Sequence, residues 1–126
     1  MKILVVDDSL AMQAIVRRGL DKFGYKTLDI RQSSGAIDAL EIIDEWKPEI
    51  VLSDWHMPEV SGLELLKEIR KRELPIQTGF VTTVNEEELI AQAIECGACF
   101  VLSKPFEDEQ LHKAILPLVQ GASESE

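Results

Sequence analysis

The amino-acid sequence predicts an α/β fold in which a five-stranded parallel sheet is covered by helices on both faces. Two observations support this prediction. Short apolar runs alternate with segments whose apolar residues recur at helical spacing, and the alternation occurs five times along the chain. Strands that alternate with helices are typical of parallel sheets, and their right-handed connections place helices on both sides once the strand order reverses.

The predicted strands are short. They are residues 2–6 (KILVV), 27–31 (TLDIR), 49–53 (EIVLS), 77–82 (QTGFVT) and 99–103 (CFVLS). The third is a continuous apolar run, typical of a strand buried on both faces, whereas the second alternates between polar and apolar residues.

A helix is predicted after each strand. The helical patterns fall within residues 12–23, 36–43, 63–69, 86–96 and 107–119. Gly24 ends the first helix, and Asn85 with Glu88 forms a predicted capping box for the fourth. We expect residues 1–120 to form one domain and residues 121–126 to be a disordered tail.

Composition excludes several functions. The chain has 126 residues, a net charge of −10 and a pI near 4.6. Direct nucleic-acid binding needs a basic surface, so none is expected. No run approaches the roughly 20 apolar residues of a membrane span, and "DD" interrupts the short apolar start, so we expect neither membrane insertion nor a signal peptide. A cytoplasmic location is the resulting expectation.

The two cysteines form a C-x-x-C sequence at residues 96–99. A redox motif places its first cysteine at a helix N-terminus, where the helix dipole lowers the thiol pKa. Here Cys96 ends a helical pattern instead. A zinc site would need two further ligands, and the only histidines are His56 and His112. Two packed thiols are the favoured interpretation.

Polar residues stand at the C-terminal ends of four predicted strands: Asp7 and Asp8, Asp54, Thr82 and Thr83, and Lys104. In such sheets these ends meet at one crevice. Two carboxylates about 4 Å apart repel by roughly 4 kcal/mol at an effective dielectric near 20, so either protons or a cation must offset the charge there. Carboxylate oxygens suit Mg²⁺, and a single imidazole, His56, makes a transition metal the weaker alternative.

The same crevice has the groups that phosphoryl transfer requires. The Lys104 ammonium, the Thr82 hydroxyl, a metal and backbone N–H groups could surround the phosphoryl oxygens, with Asp54 as the nucleophile. Each residue also has a purely structural interpretation. Asp7 could cap the first helix, Lys104 could be a solvated loop charge, and Thr82 could be an ordinary strand residue.

Four segments resemble the receiver domain of two-component response regulators. They are VVDDS, LSDWHMPEVSG, VTT and LSKPF, in that order and with matching spacing over residues 2–119. The resemblance implies a flavodoxin-like, doubly wound sheet with strand order 2-1-3-4-5, a topology for which the chemotaxis receiver is the standard example.

The resemblance also implies a role for each site residue. Asp54 matches the phospho-accepting aspartate. Asp8 would bind Mg²⁺ directly, Asp7 mainly through water, and the backbone carbonyl of His56 would be a further ligand. Lys104 would pair with the phosphoryl group, and the Lys104–Pro105 peptide is often cis in this family.

The remaining implied roles concern binding of the phosphoryl group and the conformational switch that follows it. Thr82 matches the hydroxyl that moves toward the phosphoryl group. Thr83 and Trp55 lie beside the expected phosphoryl position and complete the predicted phosphate-binding residues.

Two positions depart from the family pattern. Val101 occupies the place of an aromatic residue that turns inward on activation, and Phe100 would face the opposite side of the sheet. We therefore expect a weaker or differently built switch. Thr83 replaces a small residue, and His56 and Val84 occupy positions that tune phosphate loss, so altered self-dephosphorylation is also expected.

Three functions compete. The leading hypothesis is a receiver that takes phosphate from a histidine kinase or a phosphotransfer protein and then docks a downstream protein, without being an enzyme in the ordinary sense. A magnesium-dependent phosphatase would want a second aspartate two residues after the nucleophile, where the chain has His56. A binding module that is never phosphorylated is the third alternative.

Overall fold

The computed structural model describes residues 1–24 and 27–124 and contains the predicted parallel sheet. The elements are β1 (Lys2–Val6), α1 (Leu10–Asp21), β2 (Asp29–Ser33), α2 (Ala36–Trp46), β3 (Ile50–Ser53), α3 (Gly62–Lys71), β4 (Gln77–Thr82), α4 (Glu87–Glu95), β5 (Val101–Ser103) and α5 (Asp108–Glu124). All neighbouring strands are parallel, and their order is β2-β1-β3-β4-β5. The predicted flavodoxin-like fold is confirmed.

The strand order reverses beside β1, and this reversal creates the crevice. The chain passes from β1 outward to β2 and then returns to β3 on the opposite side of β1. Val6 is paired with Ser33 on one side and with Ser53 on the other. The residues that follow these strands therefore leave the sheet at the same level, which is where ligands bind in open α/β sheets.

Apolar side chains cover both faces of the sheet. On one face, Ile3, Val5 and Leu52 pack against residues of α1 and α5. On the other face, Leu4, Val6 and Val51 pack against α2 and α3. Successive residues of the central strands therefore enter opposite cores, which explains why these strands are continuous apolar runs.

Element boundaries differ from the sequence prediction at three strands. β2 is Asp29–Ser33 rather than 27–31, β3 is Ile50–Ser53 rather than 49–53, and β5 is Val101–Ser103 rather than 99–103. The bounds of β2 follow from its pairing with β1, which runs from Lys2 with Asp29 to Val6 with Ser33. A shift of two residues keeps the same side chains on each face, so the alternation in the sequence does not reveal it.

The predicted capping box of the fourth helix is wrong. The N-cap residue of α4 is Glu86, and its side chain makes no capping hydrogen bond. The N–H of Asn85 instead donates to the Glu86 carboxylate at 3.1 Å, so Asn85 precedes the helix. Glu87 and Glu88 occupy the first turn, where negative charge interacts favourably with the helix dipole.

The last helix extends into the segment predicted to be a disordered tail. α5 ends at Glu124, so residues 121–124 are helical. Residues 125–126 of the predicted tail lie outside the described residues. Among the helices that the structure describes, none is both long and apolar enough to span a membrane.

Candidate functional site

Three carboxylates meet at the C-terminal ends of β1 and β3. Asp7, Asp8 and Asp54 each place an oxygen atom within 4.8 Å of the others. Asp7 is buried, Asp54 is half-buried and Asp8 is exposed, so the cluster opens to solvent on the side of Asp8. The backbone N–H of Asp54 donates to the carbonyl of Val6 at 2.9 Å, which holds the two strand ends together.

Lys104 bridges two of these carboxylates. Its Nζ atom lies 2.8 Å from Asp7 Oδ2 and 3.1 Å from Asp54 Oδ2, although the residue follows β5, at the far edge of the sheet. Burial by itself would lower the pKa of Lys104. The hydrogen bonds to Asp7 and Asp54 outweigh that effect, so its pKa lies above the ordinary value and the side chain remains an ammonium.

The charges in this cluster do not balance. Three carboxylates face one ammonium, and like charges at this spacing repel. The donor set consists of carboxylate oxygens with an open side, which is compatible with Mg²⁺, an ion that binds one or two carboxylates and retains water ligands. Asp7, Asp8 and Asp54 therefore fit a hard divalent cation.

The backbone around the cluster orients two of the carboxylates. Asp7 Oδ1 accepts the N–H of Ser9 at 2.9 Å, and Asp54 Oδ1 accepts the N–H of Trp55 at 2.7 Å. The cap of α1 is Ser9, whose hydroxyl accepts the N–H of Met12 at 3.2 Å. Asp7 is therefore not the helix cap that the structural interpretation of the sequence suggested.

The loop after Asp54 is held close to the strand end. The N–H of Gly62 donates to the carbonyl of Trp55 at 2.7 Å. A Cβ atom at position 62 would overlap the carbonyl oxygen of Asp54, so this position requires glycine. Trp55 is buried, and its ring packs 5.2 Å from that of Phe80, whereas the His56 side chain is exposed.

The two threonines at the C-terminal end of β4 have different environments. Thr82 is fully buried, and its hydroxyl accepts the N–H of Val84 at 3.3 Å. Thr83 is exposed and lines a groove of about 480 Å³ together with Lys104. The other residues of this groove are Met12, Ile15, Pro105 and Phe106. The Lys104–Pro105 peptide is cis.

Phe100 and Val101 face opposite sides of the sheet, as the sequence predicts. Val101 packs with Phe80 and Trp55 in the core beneath α3 and α4. The ring of Phe100 lies on the other face and covers Gly79, where a Cβ atom would overlap it. Phe100 therefore does not occupy the place of the missing aromatic residue.

The cysteines lie away from this cluster. Cys96 is the half-buried C-cap residue of α4, whereas Cys99 is exposed, so the prediction of two packed thiols is wrong for Cys99; both thiols are free. Partial burial of the Cys99 thiol still raises its pKa, which disfavours the reactive thiolate form. Within the described chain, no group of three or more metal-binding side chains includes a cysteine or a histidine.

Gln13 is a buried polar residue beside the site that the sequence prediction does not single out. Its side chain donates a hydrogen bond to the carbonyl of Asp7 at 2.7 Å. The feature of the sequence that could have identified it is a polar residue on the otherwise apolar, buried face of α1. This face comprises Gln13, Val16, Gly19 and Leu20.

Comparisons with known proteins agree with the fold. Residues 3–116 match the family model described as the response regulator receiver domain. The chemotaxis protein CheY1 of Helicobacter pylori is 33% identical over 129 residues, covering 98% of this chain and all of the relative. Sporulation initiation phosphotransferase F of Bacillus subtilis is 31% identical over 120 residues, covering 93% and 94%.

Solved structures show the same arrangement. A response regulator receiver domain protein from Clostridium thermocellum superposes with a TM-score of 0.87 at 25% identity, covering 99% of this chain and 98% of the other. The family match spans most of the chain, and the two relatives are matched over nearly their whole lengths. This chain belongs to the response regulator receiver domain family.

Proposed function

We propose that Asp54 is the phosphoryl acceptor of this receiver domain and that its phosphorylation, with Mg²⁺ bound, changes the surface offered to a partner protein. The observation that carries this proposal is the position of the Asp54 carboxylate. It lies 3.1 Å from the Lys104 ammonium and within 4.8 Å of carboxylate oxygens of the acidic pair Asp7 and Asp8. A nucleophilic carboxylate with positive charge beside it is the arrangement that aspartyl-phosphate chemistry needs.

In the proposed reaction, an Asp54 carboxylate oxygen attacks the phosphorus atom of a phosphohistidine donor. The oxygen–phosphorus bond forms, the phosphorus–nitrogen bond breaks, and the donor imidazole retains the electron pair and takes up a proton. Bound Mg²⁺ would offset the negative charge of the carboxylates and the phosphoryl oxygens. Asp7, Asp8, Asp54 and the backbone carbonyl of His56 would hold this ion.

Residues around Asp54 would bind the transferred group. Lys104 already contacts the Asp54 carboxylate and can pair with a phosphoryl oxygen. The N–H of Trp55 now donates to Asp54 Oδ1, and exposed Thr83 lines the groove beside Lys104. Thr82 would have to exchange its hydrogen bond with the Val84 N–H for one to the phosphoryl group, and this exchange is the proposed switch.

The groove beside Lys104 supports docking of a phosphodonor protein. Its apolar walls are formed by Met12 and Ile15 of α1 and by Pro105 and Phe106. Leu10, 72% exposed, extends the apolar surface at the start of α1. A histidine kinase or a histidine phosphotransfer protein that docks here would bring its phosphohistidine to Asp54. The phosphorylated surface would then bind a downstream protein.

Receiver domains are signalling switches rather than enzymes in the ordinary sense, and the family match assigns this chain to that class. We propose that catalysis by this chain is limited to its own phosphorylation and dephosphorylation. A cytoplasmic location remains a prediction from the sequence.

The test is labelling with a small phosphodonor. Wild-type protein incubated with acetyl phosphate and Mg²⁺ should gain one phosphoryl group, mapped to Asp54 by peptide mass spectrometry after borohydride trapping. Asp54→Asn should remain unlabelled. Asp44→Asn, which changes an exposed aspartate paired with Arg72, is the matched control and should be labelled like the wild type.

Two results would contradict the proposal. Wild-type protein that acquires no label would indicate a binding module that is not phosphorylated. Sustained release of phosphate from a phosphate monoester, at a rate that depends on His56, would indicate a phosphatase instead.

A further inference from the structure

Gln13 is an unusual residue for its position, because its polar side chain is only 3% exposed. It lies on α1 with Val16 and Leu20, on the face that packs against the sheet. A buried amide costs free energy unless it is hydrogen-bonded, so a residue of this kind normally has a defined set of partners.

The partners of Gln13 are on two adjacent strand ends. Its Nε2 atom donates to the carbonyl oxygens of Asp7 at 2.7 Å and Ser33 at 3.2 Å, and it lies 3.3 Å from Ser34 Oγ. Carbonyl oxygens only accept hydrogen bonds, which fixes the amide with its NH₂ group toward the strands. Gln13 therefore ties the end of β1 to the end of β2.

A second layer holds Gln13 in this orientation. Gln32 Nε2 donates to Gln13 Oε1 at 3.1 Å. Arg17 Nη1 in turn donates to Gln32 Oε1 at 3.2 Å and to the carbonyl of Ile30 at 3.3 Å. The result is a chain of hydrogen bonds that runs from the surface of α1 across β2 to the backbone of Asp7.

The Asp7 carbonyl is the point where this chain reaches the acidic cluster. It belongs to the peptide that joins Asp7 to Asp8, so its direction determines how Asp8 leaves the strand. The N–H of Asp7 is also held, by the Ser33 carbonyl at 3.0 Å. Asp8 is exposed, and within residues 1–24 and 27–124 no hydrogen bond or ion pair orients its carboxylate, so the backbone must do so.

We propose that Gln13 is a positioning residue that sets the Asp7–Asp8 peptide so that the Asp8 carboxylate faces Asp54 and binds the divalent cation. The proposal rests on the proposed function, because it assumes that this cluster binds Mg²⁺. Gln13 touches no carboxylate and acts only through the backbone. Groups that orient metal ligands in this way typically change metal affinity about 10- to 100-fold when they are removed.

The decisive variant is Gln13→Met, which keeps the length and approximate volume of the side chain but removes its donors. We expect its dissociation constant for Mg²⁺, measured by isothermal titration calorimetry, to rise about ten-fold. At Mg²⁺ concentrations that saturate each protein, acetyl phosphate should label Asp54 of the variant at the wild-type rate, because Gln13 does not contact Asp54.

Ile115→Val is the matched control for lost stability. Ile115 is fully buried on α5 and packs in the core that includes α1, yet it has no contact with the Asp7–Asp8 peptide. This variant should have a lower melting temperature and an unchanged Mg²⁺ dissociation constant. If Gln13→Met folds poorly, Gln13→Asn retains an amide that is too short to reach Asp7 and should also weaken Mg²⁺ binding about ten-fold.

The outcomes separate the two proposals. If wild-type protein binds no Mg²⁺ and accepts no phosphoryl group, the proposed function fails. If the wild type does both, while Gln13→Met and Gln13→Asn bind Mg²⁺ as tightly as the wild type, then Gln13 is only a structural residue and this inference is overturned. An equal loss of affinity in Ile115→Val would overturn it as well.

Discussion

The side of the sheet where the strands begin (the N-terminal edge) and the side where they end (the C-terminal edge) differ in how their charged groups are neutralised. At the N-terminal edge, Lys2 donates from Nζ to the carbonyl of Trp46 at 3.0 Å and lies 5.7 Å from the centre of the Trp46 ring. At the C-terminal edge, Asp7, Asp8 and Asp54 share one ammonium. At the N-terminal edge, a carbonyl acceptor and an aromatic ring stabilise the positive charge. The C-terminal edge retains excess negative charge.

This difference separates stability from function. A cation that lies near an aromatic ring and donates a hydrogen bond to a carbonyl stabilises the fold. Because its interactions are already made, a ligand would gain little binding free energy there. Clustered carboxylates repel each other in the folded protein when no cation is bound. A bound cation would remove this electrostatic repulsion. Changes at the two edges should therefore have separable effects on folding and on Mg²⁺ binding.

The largest effect on stability is expected at the N-terminal edge. Trp46→Ala removes a side chain that is 7% exposed and packs with Ala39 and Ile43. It should lower the free energy of unfolding by about 3 kcal/mol, because a large buried aromatic is replaced by a cavity. Urea denaturation measures this loss. The Mg²⁺ dissociation constant should stay unchanged, and a parallel loss of Mg²⁺ affinity would contradict the separation of the two edges.

Lys104→Met should have the next largest effect. It removes the partner of Asp7, whose side chain is 4% exposed, and leaves a buried carboxylate without a counter-charge. We expect the free energy of unfolding to fall by about 2 kcal/mol in buffer without divalent ions, below the usual cost for a fully buried pair because Asp54 is partly exposed. Added Mg²⁺ should stabilise this variant more than it stabilises the wild type.

The stabilisation by Lys104 should also depend on pH. Its folded-state pKa is raised above the ordinary value of 10.5 by Asp7 and Asp54, despite burial, which acts in the opposite direction. The stability difference between wild type and Lys104→Met should therefore be complete below pH 10.5 and decline as the pH rises through the folded-state pKa. A difference that grows with alkaline pH would show that the ammonium does not supply it.

Asp8→Asn should have the smallest effect on stability and the opposite sign. The residue is exposed and lies within the acidic cluster, so neutralising it relieves repulsion. We expect the free energy of unfolding to rise by about 0.5 kcal/mol, because solvent screens the exposed charge. Mg²⁺ affinity should fall at the same time. Unchanged Mg²⁺ affinity would exclude Asp8 as a ligand.

The parts of the fold that the sequence predicts correctly depend on local patterns of neighbouring residues. β1 and β4 have the predicted bounds, and β1 is a compact apolar run. β2 is displaced by two residues, since its partner β1 determines where pairing starts. The capping box at Asn85 failed because the sequence pattern contains the required residue types but does not determine the backbone conformation that precedes α4.

The candidate site was predictable in its members but not in its contacts. The meeting of Asp7, Asp8 and Asp54 follows from a parallel sheet whose order reverses beside β1. The placement of Lys104 between two carboxylates, and the hydrogen bonds of Gln13, depend on how side chains from α1 and β5 reach across the sheet. No spacing in the sequence encodes those distances.

The sequence by itself determined the alternation of strands and helices, the acidic character and the polar residues at the strand ends, because each is a property of neighbouring residues. Only the tertiary structure decided that Lys104 pairs with Asp7, 97 positions away, and that Gln13 holds the peptide after Asp7. The physical reason is that hydrogen bonds and ion pairs act over about 3 Å, so packing of distant segments decides which groups meet.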